Sequence, residues 1–181
     1  MNRRNFIRYA AAFCALGTTS LLTPSRVLAN TNLPQERQLK FLHLHTGETL
    51  NTTYWAEGDY IAEELANINY VLRDFRTDDI EPIDKNLLEL LYLLQQQTGK
   101  AGAYHIISAY RSPKTNAALR LNSTGVAKRS MHMQGKAIDI RLPGIELKRL
   151  RQAALSLHAG GVGYYPKSNF IHVDTGRPRF W

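Results

Sequence analysis

Two short segments alternate between apolar and polar residues over most of their length, and this pattern constrains the fold more than any other feature of the chain. Residues 136–142 read KAIDIRL, and residues 169–175 read NFIHVDT. Successive side chains of a β-strand point to opposite faces of a sheet, so each segment predicts a strand with one buried face and one open face. If the two strands are neighbours, Asp139 and His172 project from the same open face.

The remaining pattern predicts an α+β fold. RQLKFLHLHT and ETLNTTYW predict an N-terminal hairpin around Gly47. Apolar residues spaced three and four apart predict helices over 59–75 and 84–99, with Asp84 as an N-cap. Further helices are expected after Ser112 and over 145–158. The hairpin and helices are therefore expected to pack on a mostly antiparallel sheet.

The first 29 residues predict an export signal that precedes the folded domain. The pair Arg3 and Arg4 comes before an apolar run, Tyr9–Leu22, which is too short to span a membrane. The paired arginines resemble a twin-arginine signal, read by the machinery that exports folded proteins; an ordinary signal with chance arginines is the alternative. Cleavage after Ala29 would leave residues 30–181 as one domain in the periplasm, without a stable membrane anchor.

Cleavage would also change the composition of the protein. The only cysteine of the chain, Cys14, lies in the signal segment, so the remaining domain has no disulfide and no thiolate metal ligand. Loss of four arginines lowers the formal net charge from +8 to +4. A mildly basic surface suits a polyanionic cell wall and is too weak to indicate a nucleic-acid partner.

His132, Asp139 and His172 form a candidate metal site. Gly135 permits a turn between the segment that carries His132 and the strand that carries Asp139. Two imidazoles and one carboxylate suit one Zn²⁺ per chain and leave a fourth position for water, as a hydrolase requires. Spacing alone leaves the alternative open that these are ordinary loop, edge-strand and core residues.

The motifs around these residues resemble a known family. SMHMQGKAID followed by FIHVD resembles the Ser-x-His-x6-Asp…His pattern of the zinc D-Ala-D-Ala peptidases, peptidase family M15. Together with HTGE, SAYRS, GVAKRS and AGGVGYYPKSNFIHVDTG, it is similar to the YcbK-like (MepK) branch of murein endopeptidases in Gram-negative periplasms. This resemblance implies a zinc-dependent cut in peptidoglycan peptides, with His132, Asp139 and His172 as the ligands.

The resemblance also implies roles for three residues near the metal. Arg111 in SAYRS matches an arginine that faces the active site, where its planar guanidinium would bind a substrate carboxylate; a surface ion pair is the alternative. Ser130 matches a serine near the site, or it only orients its loop. His45 in HTGE could line the substrate groove. His43 and His45 alternate on one strand and could also chelate a metal, but nothing nearby completes such a site, so plain strand residues are the favoured interpretation.

The chain departs from the family pattern where a general base is expected. Many members carry an acid three residues before the last histidine ligand or a histidine two residues before it, and here those positions are Asn169 and Phe170. Neither side chain accepts a proton from water, so either another group does so or activated water attacks with little help. Asp174 is a candidate base, or else a carboxylate that orients the imidazole of His172.

The sequence therefore predicts a zinc metallopeptidase of the periplasm that acts on the peptide stems of peptidoglycan during cell-wall growth or remodelling. The bonds expected to be cut are cross-links, including those between two diaminopimelate residues. Two alternatives remain open. One is a non-catalytic peptidoglycan-binding module that retains zinc, and the other is a D-Ala-D-Ala carboxypeptidase.

Overall fold

A computed structural model describes residues 36–123 and 125–181. The predicted export signal, residues 1–29, lies outside these described residues. Within them, no helix has the length and apolar character needed to cross a membrane. The described chain forms four α-helices and a mostly antiparallel eight-stranded sheet, which confirms the predicted α+β class.

The regular elements alternate along the chain. The strands are β1 Glu36–His43, β2 Thr49–Ala56, β3 Asp59–Tyr60, β4 Tyr104–Ser108, β5 Ala137–Arg141, β6 Gly161–Tyr165, β7 Phe170–Asp174 and β8 Arg179–Phe180. The helices are α1 Ala62–Val71, α2 Lys85–Thr98, α3 Pro113–Asn122 and α4 Leu147–Ser156. Two short 3₁₀ helices cover Met131–Gln134 and Pro166–Ser168.

The strand order across the sheet is β3-β2-β1-β4-β5-β7-β6-β8. The hairpin β1–β2 is antiparallel, as predicted, and the closing pair β6–β7 is antiparallel as well. Two pairs of neighbouring strands are parallel, namely β1 with β4 and β6 with β8. The central strands β5 and β7 are adjacent and antiparallel, so the condition for a shared face of Asp139 and His172 is met.

The hydrophobic core lies on one face of the sheet. Ile138 and Ile140 of β5 and Ile171 and Val173 of β7 are buried there in one cluster, which also contains leucines of α2 and α4. Because side chains alternate along a strand, the intervening residues of β5 and β7 emerge on the opposite face. Burial of the apolar half of each strand therefore leaves the polar half free to build a site.

The N-terminus of α2 confirms the capping prediction, whereas α1 ends earlier than predicted. The Asp84 side chain accepts a hydrogen bond from the Asn86 N–H at 2.9 Å, and Gly99 ends α2 with a φ of +64°. Helix α1 stops at Val71 instead of Phe75. The chain leaves the helical path after Val71 because the buried side chain of Asp74 accepts hydrogen bonds from two backbone N–H groups. They are those of Arg76 at 3.0 Å and Ser112 at 2.9 Å.

Gly135 fixes the turn that leads into β5. It has a φ of +63°, and a Cβ built on it would lie 2.2 Å from the carbonyl oxygen of Pro82, so only glycine fits there. Its own carbonyl accepts a hydrogen bond from the Asp84 N–H at 3.0 Å. The turn that carries His132 is thereby held against the start of α2.

Candidate metal centre

Three elements bring the predicted ligands together. In the register of β5 and β7, Asp139 lies directly opposite His172. His132 lies in the 3₁₀ helix Met131–Gln134, and the Ser130 Oγ caps this helix by accepting a hydrogen bond from the His132 N–H at 3.4 Å. The carbonyl of His132 also accepts a hydrogen bond from the Arg111 N–H at 3.2 Å, which joins the 3₁₀ helix to the segment after β4.

The side chains of His132, Asp139 and His172 converge on one point. The His172 Nδ1 lies 2.9 Å from the Asp139 Oδ1 and 3.2 Å from the His132 Nε2, and the last two atoms are 3.4 Å apart. A tetrahedral zinc ion with bonds of about 2.0–2.1 Å separates its ligand atoms by about 3.3 Å. All three residues are buried, and their donor atoms are spaced as this ion requires.

Each imidazole is oriented through its other nitrogen. The His132 Nδ1 lies 2.7 Å from the carbonyl oxygen of Ala109, so it carries the proton and donates it. The His172 Nε2 lies 2.9 Å from the Asp174 Oδ2 and donates in the same way. Such outer acceptors fix the tautomer of a metal-binding histidine and leave the opposite nitrogen with a free lone pair. The free nitrogens are His132 Nε2 and His172 Nδ1, which face each other.

Asp174 is fully buried, and several donors occupy both of its carboxylate oxygens. It accepts hydrogen bonds from the N–H groups of Gly161 and Gly176 at 3.1 and 2.9 Å. Arg179 adds a two-pronged contact at 3.0 and 2.6 Å. Burial alone would raise the pKa of Asp174, but these donors and His172 lower it well below the usual range. Of the two roles left open for Asp174, this geometry favours orientation of His172.

The charges at the centre stabilise one another. Burial opposes ionisation of Asp139, yet His132 and His172 hold its pKa well below the usual range. Burial also opposes protonation of His172, but its contacts with the carboxylates of Asp139 and Asp174 outweigh this effect and raise its pKa, so without a metal a proton would occupy the His172 Nδ1, and a bound cation would displace it. The site therefore favours a positive charge next to the Asp139 carboxylate, which is the electrostatic setting that a metal cation needs.

The three donors lie in the wall of an open cavity of about 260 Å³. Besides the donors, the wall includes Arg111, Ser130, Phe170, Tyr165 and Trp181, together with part of the loop 123–127. Asp139 is the only carboxylate in this wall among the residues that the structure describes.

Arg111 is buried beside the cavity and has few partners there. Its Nη2 lies 3.9 Å from the Asp139 Oδ2, and its Nη1 donates to the Asn116 Oδ1 at a long 3.4 Å. Within the described residues its Nε has no hydrogen-bond partner. Burial lowers the pKa of Arg111, an effect that Asp139 counteracts. Its N–H groups therefore remain available to an anionic group that enters the cavity.

Two other sequence candidates lie away from this cavity. His45 is exposed and stacks on Phe75 with a centroid distance of 4.1 Å, so the structure does not bring it to the ligands. Its neighbour His43 is buried, and its pKa is lowered to about 4, mainly by burial and then by His45. Asn169 faces a separate pocket with His105 and Arg141, whereas Phe170 lines the cavity.

Tyr165 and Trp181 line the cavity but were not among the predicted site residues, although the sequence contains a signal for Trp181. Gly161 and Gly163 alternate along β6, which leaves a strip of the sheet without side chains. A Cβ at Gly161 would lie 2.5 Å from the Asp174 Oδ2, and a Cβ at Gly163 would lie 2.8 Å from the Trp181 ring. The glycines thus make room for the groups that surround His172.

The chain is similar to known proteins over nearly its whole length. A family model described as peptidoglycan L,D-endopeptidase MepK matches residues 31–181. Among curated relatives, the peptidoglycan L,D-endopeptidase MepK of Escherichia coli (strain K12) is 46% identical over 180 residues, which covers 99% of this chain and 97% of the relative. The probable peptidoglycan L,D-endopeptidase MepK of Haemophilus influenzae is 44% identical over 168 residues, with 92% and 89% covered.

Asp174→Asn tests the orientation of His172. The substitution keeps the size of the side chain and removes its charge, so the His172 N–H loses its charged acceptor. We expect the affinity for Zn²⁺ to fall about 10- to 100-fold, whereas His132→Ala or Asp139→Ala should abolish stoichiometric binding. Calorimetric titration with Zn²⁺ measures both effects, and His45→Ala is the control that should still bind one ion. Unchanged affinity in folded Asp174→Asn would contradict the orienting role.

Proposed function

The chain belongs to the MepK family of peptidoglycan L,D-endopeptidases, and from this premise we propose that it hydrolyses peptide cross-links of peptidoglycan with the help of one zinc ion. One observation carries the zinc part of the proposal. The buried donors of His132, Asp139 and His172 are 2.9 to 3.4 Å apart, and both imidazoles are oriented from behind.

Each group around the centre has a distinct part in this proposal. When bound, zinc supplies a Lewis acid that polarises a peptide carbonyl and activates water. The Ala109 carbonyl and the Asp174 carboxylate hold the two imidazoles in the tautomers that can bind it. Phe170 and Tyr165, whose rings stack at 4.6 Å, form an apolar wall against which a peptide stem can lie.

Arg111 is proposed to bind a carboxylate of the substrate. Peptide stems of peptidoglycan carry several carboxylates, and the guanidinium of Arg111 is buried at the cavity with N–H groups to spare. A hydrogen-bonded ion pair in such a partly dry site contributes more than one on the surface. Arg111 would thereby fix the position of the stem relative to the metal.

The cavity offers no separate carboxylate base within the described residues, since Asp139 is a ligand and Asp174 lies behind His172. This composition supports the alternative in which activated water attacks without a protein carboxylate to take its proton. The same composition would also fit the non-catalytic module, so digestion of a cross-linked substrate decides between the two.

The proposed substrate is a cross-link between an L-centre and a D-centre, as in links between two diaminopimelate residues. The names of the relatives support this bond type. The proposed location is the periplasm, where peptidoglycan is found, after export through the twin-arginine machinery. The location is supported by the names of the relatives, which give peptidoglycan as their substrate; the export route rests on the paired arginines Arg3 and Arg4.

Digestion of purified muropeptides tests the proposed reaction. Residues 30–181, loaded with one equivalent of Zn²⁺, should convert dimers linked through two diaminopimelate residues into monomers, which chromatography with mass spectrometry detects. Removal of the metal by a chelator should stop the reaction, and added Zn²⁺ should restore it, because the donors have no catalytic substitute in the cavity.

Three control results separate the rival functions. Release of free D-alanine from pentapeptides while dimers stay intact would support a carboxypeptidase. Binding of dimers without any cleavage would support a binding module. Equal activity with and without metal would contradict the zinc part of the proposal.

Arg111→Lys tests the carboxylate contact. Lysine keeps the positive charge but loses the planar pair of N–H donors, so we expect KM for the dimer to rise about tenfold, consistent with about 1.4 kcal/mol of lost binding. Steady-state kinetics on the dimer measures this change. The matched control is Arg129→Lys, at an exposed position outside the cavity wall, which should leave KM unchanged. The same KM in both variants would rule the assignment out.

A further inference from the structure

The indole of Trp181 reaches the metal-binding face of the sheet. The backbone of Trp181 pairs with β6, since its N–H donates to the Val162 carbonyl at 3.3 Å and its carbonyl accepts from the Tyr164 N–H at 3.1 Å. Its side chain fills the space above Gly163, which lies opposite His172 in the β6–β7 register. The indole consequently lies beside His172, with a ring-centroid distance of 5.3 Å.

The same indole makes a hydrogen bond that orients the hydroxyl group of Tyr165. The Trp181 Nε1–H donates to the Tyr165 hydroxyl oxygen at 2.8 Å. An indole nitrogen can only donate, so the phenol oxygen must be the acceptor in this contact. The proton of the Tyr165 hydroxyl therefore points elsewhere, and within the described residues no side chain or backbone oxygen accepts it.

Tyr165 is also held on its other sides. Its ring stacks on Phe170 with an interplanar angle of 18°. It lines the same cavity as Arg111 and the three metal donors, and it is near enough to Arg111 to influence the pKa of that group, which burial dominates. A hydroxyl whose ring is stacked on Phe170 and whose oxygen accepts from Trp181 is oriented to donate its proton to a group that enters this cavity.

We propose that Tyr165 donates a hydrogen bond to the carbonyl oxygen of the scissile amide and that Trp181 positions Tyr165 for this contact. The inference rests on the proposed endopeptidase function. When water adds to the amide carbon, negative charge develops on the carbonyl oxygen, and the carbon–nitrogen bond then breaks with a proton passing to the leaving amine. The phenol proton stays on Tyr165 throughout, and its hydrogen bond to the carbonyl oxygen strengthens as charge develops.

A purely structural role for Tyr165 and Trp181 would give a different result on substitution. If Tyr165 and Trp181 only cover His172, loss of either polar atom should matter little while the rings remain. If the hydroxyl acts on the reacting carbonyl, its loss should lower kcat and leave KM nearly unchanged. Because Trp181 is inferred to act through Tyr165, removal of its N–H should matter only while the Tyr165 hydroxyl is present.

Single and double variants of the zinc-loaded residues 30–181 test this inference. Tyr165→Phe should lower kcat for the cross-linked dimer on the order of 10²-fold, the usual cost of one such donor, with KM within about twofold. Trp181→Phe keeps an aromatic ring above Gly163, and we expect about a tenfold loss. In the double variant the loss should equal that of Tyr165→Phe alone.

Tyr164→Phe is the matched control, since its ring faces Arg151 on the opposite side of β6, and it should keep full activity.

A second readout does not depend on activity. The chain has two tryptophans, so Trp55→Phe leaves Trp181 as the only indole. In this background Tyr165→Phe should shift the fluorescence of Trp181, because the acceptor of its N–H is lost, whereas Tyr164→Phe should not. Zinc content should be one ion per chain in every variant, which separates a donor effect from loss of the metal.

Three results would overturn the inference while the endopeptidase assignment stands. They are a kcat for Tyr165→Phe equal to that of Tyr164→Phe, a rise in KM alone, or losses that multiply in the double variant. Failure of the unsubstituted protein to cleave any dimer would instead contradict the proposed function itself.

Discussion

The antiparallel register between β5 and β7 determines where the candidate site lies, and the other parts of the site depend on it. Asp139 and His172 are direct partners in this register. A slip of one residue would turn one of them into the core, because side chains alternate with a period of two. The fully buried partners Ile140 and Ile171, next along the two strands, oppose such a slip by their packing. The hydrophobic core and the candidate metal donors are therefore specified by the same alternation.

Orientation of the two imidazoles depends on elements at some distance from the donors. The Ala109 carbonyl, which follows β4, holds His132, and Asp174 at the end of β7 holds His172. Asp174 is itself held by Arg179 of β8. A fully buried carboxylate is costly unless it is paired and hydrogen-bonded, so the two-residue strand β8 contributes to the site through charge compensation. The metal donors are thus connected to both halves of the sheet.

Much of this arrangement could be predicted from single segments of the sequence. The alternation in KAIDIRL and NFIHVDT indicated that Asp139 and His172 share a face, and Gly135 indicated a turn next to His132; both features are present. The family resemblance is confirmed by the match over residues 31–181. Helix α2 was predictable for the same reason, because its caps and apolar spacing are local signals.

The remaining features depend on contacts between distant segments, which a local pattern does not contain. The bond between His132 and the Ala109 carbonyl joins residues 23 positions apart, and the bond from the Ser112 N–H to Asp74, which accompanies the early end of α1, spans 38. Strand β8 has only two residues and no periodicity to detect. Trp181 reaches His172 only because Gly163 has no side chain, so its place follows from packing between strands.

The most direct test of zinc binding at this centre is a crystal structure of residues 30–181 grown with Zn²⁺, with anomalous diffraction measured at the zinc edge. We expect one strong peak per chain, bonded to the His132 Nε2, the His172 Nδ1 and the Asp139 carboxylate, with the His172 Nε2 still donating to Asp174. A peak bonded to the His172 Nε2, a peak elsewhere, or no peak in a zinc-saturated crystal would contradict this expectation.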